Sequence, residues 1–591
     1  MLGVRSAQFG LLEADHLYMD FVGRDSFYGF LASMRGQLFK DGDFAKLYCR
    51  DNGRDSVPPS MMATALLLQT HDKVSDEEAK ERADFDIRWK VALGIGIEDK
   101  PFAKSTLQLF RAHLILHEKV RAVFQRSLRF AKETGYLKGH RMKAAIDTSF
   151  ILGRGAVKDT YNLLADGIVQ LVRALAQIEG VETQAWAEQH GLGCYFGSSI
   201  KGESVVDWDD EKARNVFLQG IVSDADRMLE LARQAQAGEP EESDKRKHIM
   251  AAGNLLGQLL LQDVERKGNG AALKQEVSRD RIVSVHDPEM RHGRKSSSNR
   301  FDGHKVAVVV DTDSQLITAV EVLPGNAHDH TGAVELVKQS EQNTGTEVEV
   351  AIGDAAYGDG ATRQAFVDAE RTLVAKVPGR PDKAFFPKDD FKIDLKVGTC
   401  TCPSGQVAQV GRILKSRTDG QGKWQRFRGF IFDIHACAVC SLRPKCVASK
   451  TGKGRTVTLH PQEALLQQAR ALQHSEAFSE YRKRRQVSEH RIARLVQLGI
   501  RQARYFGRAK TRFQLLLSAA VANLTLVATA TGMMRKPYRQ AISRPDDLCQ
   551  RIMSGAKAIV TRLCRFLVSI RPLQEFQSRT TVRTGGYRPD F

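Results

Sequence analysis

The sequence predicts an α/β core with a helical domain in front of it, a helical insertion after its first strand and a small cysteine-bearing β insertion further on. Three observations predict this. Short apolar runs that each carry an acid, KAAIDTSFIL at 143–152 and VEVAIGDAAYGDG at 348–360, alternate with helical stretches. The segment from Tyr481 to Gln514 reads as one long helix with Glu489 as its single acid among many Arg and Lys. Five of the nine cysteines fall between Cys400 and Cys446.

The 591 residues are too many for one core, and a hydrophobic fraction of 42% permits real burial. The formal charge of +18 and a pI near 9.5 make nucleic acid the first partner to consider and a membrane surface the second. Charged residues interrupt the first twenty, so no export segment is expected and a cytoplasmic, nucleoid-associated protein is predicted. Nine cysteines without such a segment argue against a disulfide framework.

Residues 1–138 read as helical. Pro58 and Pro59 open a helix, Ser75 and Glu78 form a capping box, and Ser105 starts a third helix running to Glu133. Short helices ending in a basic one fit a helix-turn-helix DNA reader, with Arg111, His113, Lys119 and Arg121 as the contacting side chains. Residues 139–154 supply the first core strand, in which Asp147 is costly unless solvated, hydrogen-bonded or bound to a metal. Residues 155–265 are a helical, acidic insertion.

The core resumes over 266–377. Arg281 to Gly303 reads as a basic loop able to close over a phosphate backbone, with Arg294, Lys295 and the nearby Lys305 as DNA contacts. A hairpin turning at Asp311 to Ser314 follows, then a helix, a strand ending at Asp354, and a strand at 372–377. Residues 378–475 form a β-rich insertion in which Cys402, Cys437, Cys440 and Cys446 suit a zinc site, leaving Cys400 spare. Residues 476–534 return to the core with the basic helix and an apolar stretch, Phe513 to Met534. Its length approaches that of a membrane span, but its Gln514, Asn523 and hydroxyls fit a buried helix better. Residues 535–591 are a basic tail with one predicted helix.

Asp147, Asp354 and Glu489 then stand in the order of an RNase H-like α/β domain. Such acids hold two divalent ions, Mg²⁺ or Mn²⁺, for in-line displacement at phosphorus. Arg482, Arg484, Arg485 and Arg494 would hold the DNA backbone beside them.

The pieces IDTS, GRGAVKDTYNLLADGI, RFDGHKVAVVVD, GDAAYGDG, CAVCSLRPKC and YRKRRQVSEHRIARL followed by GIRQARYFGRAKT resemble bacterial insertion-sequence transposases of the DDE type. The nearest group is insertion sequence eleven-eighty-two, related to the insertion-sequence-four/five superfamily. The resemblance implies that Asp147, Asp354 and Glu489 are the metal-binding triad and that Arg485 is the signature arginine. Tyr481 sits one residue further upstream than that signature asks. Val496 stands where it expects Lys, with Arg494 the nearest substitute. It also implies binding of terminal inverted repeats, strand cleavage and transfer, and a dimer on paired ends. The other readings are a nuclease of the same fold without strand transfer and a DNA-binding protein of that fold without catalysis.

Overall fold

The computed structural model describes residues 1–5, 13–49, 52–117, 119–139, 141–268, 270–296, 298–379, 385–417, 424–447 and 454–535, with side chains left undescribed at 267, 412–417 and 424–427. The helix expected in the basic tail lies outside these residues.

At the centre is a mixed six-stranded sheet of β1 (Met142–Leu152), β2 (Arg291–Arg294), β3 (Arg300–Asp311), β4 (Ile317–Pro324), β5 (Val348–Ile352) and β6 (Thr372–Val374). Strand β3 pairs antiparallel with β1 on one side and with β2 and β4 on the other; β5 and β6 continue parallel beyond β1. Val306 to Val310 are buried throughout, as expected of a strand covered on both faces. Alternation sends Val306, Val308 and Val310 into one apolar cluster and Ala307 and Val309 into another.

The first cluster explains the N-terminal helices. They include α1 (Pro59–Asp72), α2 (Asp76–Phe85), α3 (Ile87–Leu93), α4 (Lys104–Leu116) and α5 (Val120–Glu133). Leu66, Trp89, Phe110, Phe124 and Phe130 from them pack in one cluster with the valines of β3 and with Phe513, Leu517 and Val521 near the C-terminus. Apolar packing therefore crosses residue 138 without interruption. Pro59 opens α1 and the Ser75–Glu78 capping box starts α2, with Ser75 N to Glu78 Oε2 at 2.7 Å and Glu78 N to Ser75 Oγ at 3.1 Å. The single helix expected from Ser105 to Glu133 is two, α4 and α5, parted after Leu116.

The helical insertion comprises α6 (Thr160–Glu179), α7 (Glu211–Ala237) and α8 (Asp244–Asp263) with shorter turns. It has its own apolar interior, including Leu171, Trp186, Leu218 and Leu256. Its acids Asp207, Asp209 and Asp210 are exposed, and Asp210 caps α7.

The segment expected as a loop over DNA, 281–303, is half structural. It contains β2, and its first half is anchored: Asp287 accepts from Gly507 N at 3.0 Å and Glu289 from Arg508 N at 2.7 Å. Helix α9 (Ala333–Thr344) covers the second face of the sheet, and α10 (Gly360–Asp368) links β5 to β6. Gly303 is where backbones approach too closely for a side chain, since a Cβ there would lie 2.2 Å from Ile151 O. Gly303→Ala is expected to destabilise by on the order of 3 kcal/mol in chemical denaturation.

The second insertion is a five-stranded antiparallel sheet, β7 (Lys392–Asp394), β8 (Thr399–Thr401), β9 (Val407–Arg417), β10 (Trp424–Ile431) and β11 (Thr456–Thr458), in the order β11-β10-β9-β8-β7.

The chain then forms α11 (Glu476–Gln497) and α12 (Arg508–Ala530), not one long helix. Gly499, at φ +95°, turns the backbone out of helical geometry. The released segment pairs with the end of β1, Leu152 N donating to Arg501 O at 2.9 Å and Ala503 N to Leu152 O at 2.8 Å. In one continuous helix Phe506 would share the apolar stripe of Ile492, Leu495, Val496 and Ala503; released from it, Phe506 is exposed. Helix α12 is long and apolar enough to cross a membrane, with a mean hydropathy of 1.7 over its most apolar window, yet 72% of that window is buried in the protein.

Candidate active site

Strand order brings the two aspartates together. Ala145 of β1 pairs with Ile352 of β5 in parallel, so two residues on Asp147 and Asp354 stand side by side where β5 has just ended. Asp354 caps the turn Ala355–Tyr357 by accepting from Ala356 N at 2.8 Å. Asp147 accepts from Thr148 N at 2.8 Å, from Ser488 Oγ at 3.1 Å and from Arg485 Nη1 at 3.4 Å. Burial pushes the Asp147 carboxyl up from its ordinary pKa, and the charge of Asp354 adds to the rise.

Glu489 reaches this site through an arginine. Helix α11 crosses β1 with Arg485 and Ser488 facing it. Arg485 Nη2 donates to Glu489 Oε1 at 2.5 Å while its Nη1 holds Asp147. One guanidinium thus stands between the first and third acids. Among the described residues, the group of potential ligands whose donor atoms all lie within 4.8 Å of one another is Glu13, Asp15 and His16, not the triad. As placed, the Arg485 guanidinium occupies the space between Glu489 and Asp147.

The donor set fits a divalent ion. Oxygens are the ligands that Mg²⁺ and Mn²⁺ take, and Asp147 is already raised by burial and by its neighbour's like charge, a repulsion that a cation relieves. The Tyr357 hydroxyl is buried without a hydrogen-bond partner. Burial raises its pKa first, and the charges of Asp147, Asp329 and Asp354 add to the rise.

Cys402, Cys437, Cys440 and Cys446 line one cavity with Ser404 and Phe432, but no three of their sulfurs lie within 4.8 Å of one another. Cys402 Sγ lies 3.1 Å from Ser404 Oγ, and hydrogen bonding from Ser404 lowers the Cys440 pKa. Cys446 is raised by burial and then by the other three thiols. Cys400, on β8, is buried in the small core with Phe430, and burial pushes its pKa up to about 11. Thiols are the soft donors that zinc takes, so this cavity carries the right ligand type with the sulfurs spread apart.

The expected DNA contacts divide. Arg482, Arg294 and Lys295 are exposed, and His113 is half-buried beside His117. Arg484 pairs with Asp313 at 2.6 Å, and Arg494 is half-buried, its pKa lowered by that burial. Two expectations are corrected. Arg111 is buried: it pairs with Asp76 at 2.6 Å and stacks over Tyr505 at 5.2 Å, so it holds helices together instead of facing DNA. Lys305 donates to Ala327 O and to Asp329 Oδ1, both at 2.7 Å, which spends its charge inside the protein. Sequence reasoning missed Ser488 and Tyr357. Ser488 was findable, since it lies one helical turn from Arg485 on the same face.

A carboxylate in mid-strand, a second just past the end of the neighbouring parallel strand and a third acid on a basic helix, bridged to the first by Arg485, are a set of the kind that nucleic-acid phosphoryl-transfer enzymes use. Comparison with protein families agrees: a Transposase DDE domain matches residues 401–528, and a Transposase domain (DUF772) matches residues 17–113. The chain is a transposase with a DDE domain, acting on DNA, and such enzymes use divalent metal ions. The DDE match includes Glu489 and the thiol cluster but begins after Asp147 and Asp354. No curated protein and no solved structure matches the chain.

Proposed function

We propose that the chain is the transposase of a bacterial insertion sequence of the eleven-eighty-two group, acting through Asp147, Asp354 and Glu489 on an RNase H-like core. The observation that carries this reading is the meeting of Asp147 on β1 with Asp354 just past the end of the parallel neighbour β5, with Arg485 joining Asp147 to Glu489. The strand order, an antiparallel hairpin beside β1 and two parallel strands beyond it, is the order such a core requires.

The acids would hold Mg²⁺ or Mn²⁺, two ions, which when bound supply an activated water or 3′-hydroxyl and stabilise the leaving oxygen. The protein's own part is to place these carboxylates and to offer α11 to the backbone. Arg482 lies exposed on that helix, and Arg485 is poised to release Glu489 and turn to a phosphate. The N-terminal helices read terminal inverted repeats, the thiol cluster holds a structural Zn²⁺, and two copies pair the ends in a nucleoid-associated complex. Incubating the purified chain with Mg²⁺ and DNA carrying its element's own ends is the test, reading nicking and joining separately. Nicking without joining would favour a nuclease; neither would favour a DNA-binding protein without catalysis.

For the thiols, metal analysis is expected to find about one zinc per chain, lost in Cys440→Ser and in Cys446→Ser but retained when Cys400 is replaced by alanine. Zinc-free preparations of the folded wild type would refute the site.

A further inference from the structure

Beyond Asp147, strand β1 has no β5 beside it, because β5 ends at Ile352 opposite Ala145. The segment after Gly499 takes over that edge through the two backbone hydrogen bonds to Leu152. This pairing decides where the Arg501 side chain goes. Its Nη1 donates to Phe150 O at 2.9 Å and to Ser149 Oγ at 3.3 Å, and its guanidinium carbon lies 4.0 Å from the centroid of the Phe150 ring. Phe301 stacks against the same ring at 5.1 Å, and Lys295 Nζ lies 5.8 Å from its centroid.

Arg501 is therefore fixed in place with most of its donors uncommitted. Among the described residues its side chain hydrogen-bonds only Ser149 and Phe150, both through Nη1, and no carboxylate pairs with it. Its Nε and Nη2 are not among the buried atoms that lack a partner. They form the edge of the guanidinium fork that grips a phosphate with two parallel bonds. A purely structural role does not account for the side chain, because backbone hydrogen bonds already hold the segment to β1. Its position is informative too: Ser149 follows Asp147 on the same side of the strand, roughly 7 Å along. That is a step of the order of one nucleotide from the carboxylates.

We infer that Arg501, stacked on Phe150, binds a backbone phosphate of the DNA strand next to the one that is cut. The inference rests on the reading of Asp147, Asp354 and Glu489 as the active site, and adds to it a contact that fixes the strand's register.

The test uses the full chain, a duplex carrying the terminal repeat beside the gene, and the same duplex with a neutral methylphosphonate adjacent to the cleavage position. Arg501→Gln is expected to lower the slope of log affinity against log salt by about 0.9. It should also slow single-turnover cleavage by about tenfold, the equivalent of one charge-assisted hydrogen bond. Arg501→Lys is expected to restore the slope. The methylphosphonate should weaken binding to the wild type and not to Arg501→Gln, and a wild type indifferent to it overturns the contact without any variant having to fold. An unchanged slope in folded Arg501→Gln also overturns it. Asp354→Ala separates the two readings. If that variant is inactive with a wild-type slope, the active site stands whatever residue 501 does. If it cuts normally, the active-site reading fails and the inference falls with it.

Discussion

Asp354→Ala is expected to abolish strand cleavage while leaving binding to DNA ends unchanged. The carboxylate stands beside Asp147 at the end of the parallel pair, where a metal site worth several kcal/mol of transition-state stabilisation would lose a ligand. A loss of about 4 kcal/mol is a factor of roughly 10³ in rate. Gel-based cleavage with Mg²⁺, alongside anisotropy binding, checks it, and cutting at the wild-type rate would remove Asp354 from the site. Asp147→Asn should be equally inactive, with a second signature. The wild-type carboxyl is raised by burial and by Asp354, so its neutral form is the one the fold favours. A group shifted this way contributes stability below its ordinary pKa and loses it as pH rises through the raised one. At neutral pH the neutral amide should therefore melt higher than the metal-free wild type and gain less from added Mg²⁺.

The second large effect is on stability. Asp76→Ala removes the acid that holds Arg111 at 2.6 Å and Arg504 at 3.2 Å and also accepts from Gln69 at 2.8 Å. Arg111 has only 8% of its side chain exposed, so breaking this pair strands a buried cation, at a cost of about 3–5 kcal/mol. Burial alone would raise the Asp76 pKa, but the hydrogen bonds and charge of Arg111 outweigh it and hold the carboxyl well below the aspartate range. For a depressed acid the contribution is complete above the ordinary pKa near 4 and is lost as pH falls below it. Urea titrations at neutral pH and near pH 3 should show the gap between wild type and Asp76→Ala narrowing in acid. A constant gap would mean the carboxylate's charge is not what stabilises.

These two sites differ in how far the sequence revealed them. Asp147 was legible because an acid inside an apolar, β-branched run is costly anywhere, and the Ser75 capping box because both partners lie within one helical turn. Arg111 misled because its partner is 35 residues away, and charge patterning along a helix carries no record of such a pairing. Gly499 misled for a related reason. Apolar positions keep helical spacing across it, while the hydrogen bonds that favour leaving the helix come from Leu152, some 350 residues earlier. Local periodicity reports which face is apolar; it is silent on which distant strand has an edge to fill.

The apolar cluster that joins the N-terminal helices to the sheet and α12 has a practical corollary. Exchanging the first 138 residues for those of a relative with different end preference would not resemble swapping a tethered head. It would replace half of a shared interior, so retargeting is better attempted by changing exposed side chains than by transplanting the whole segment.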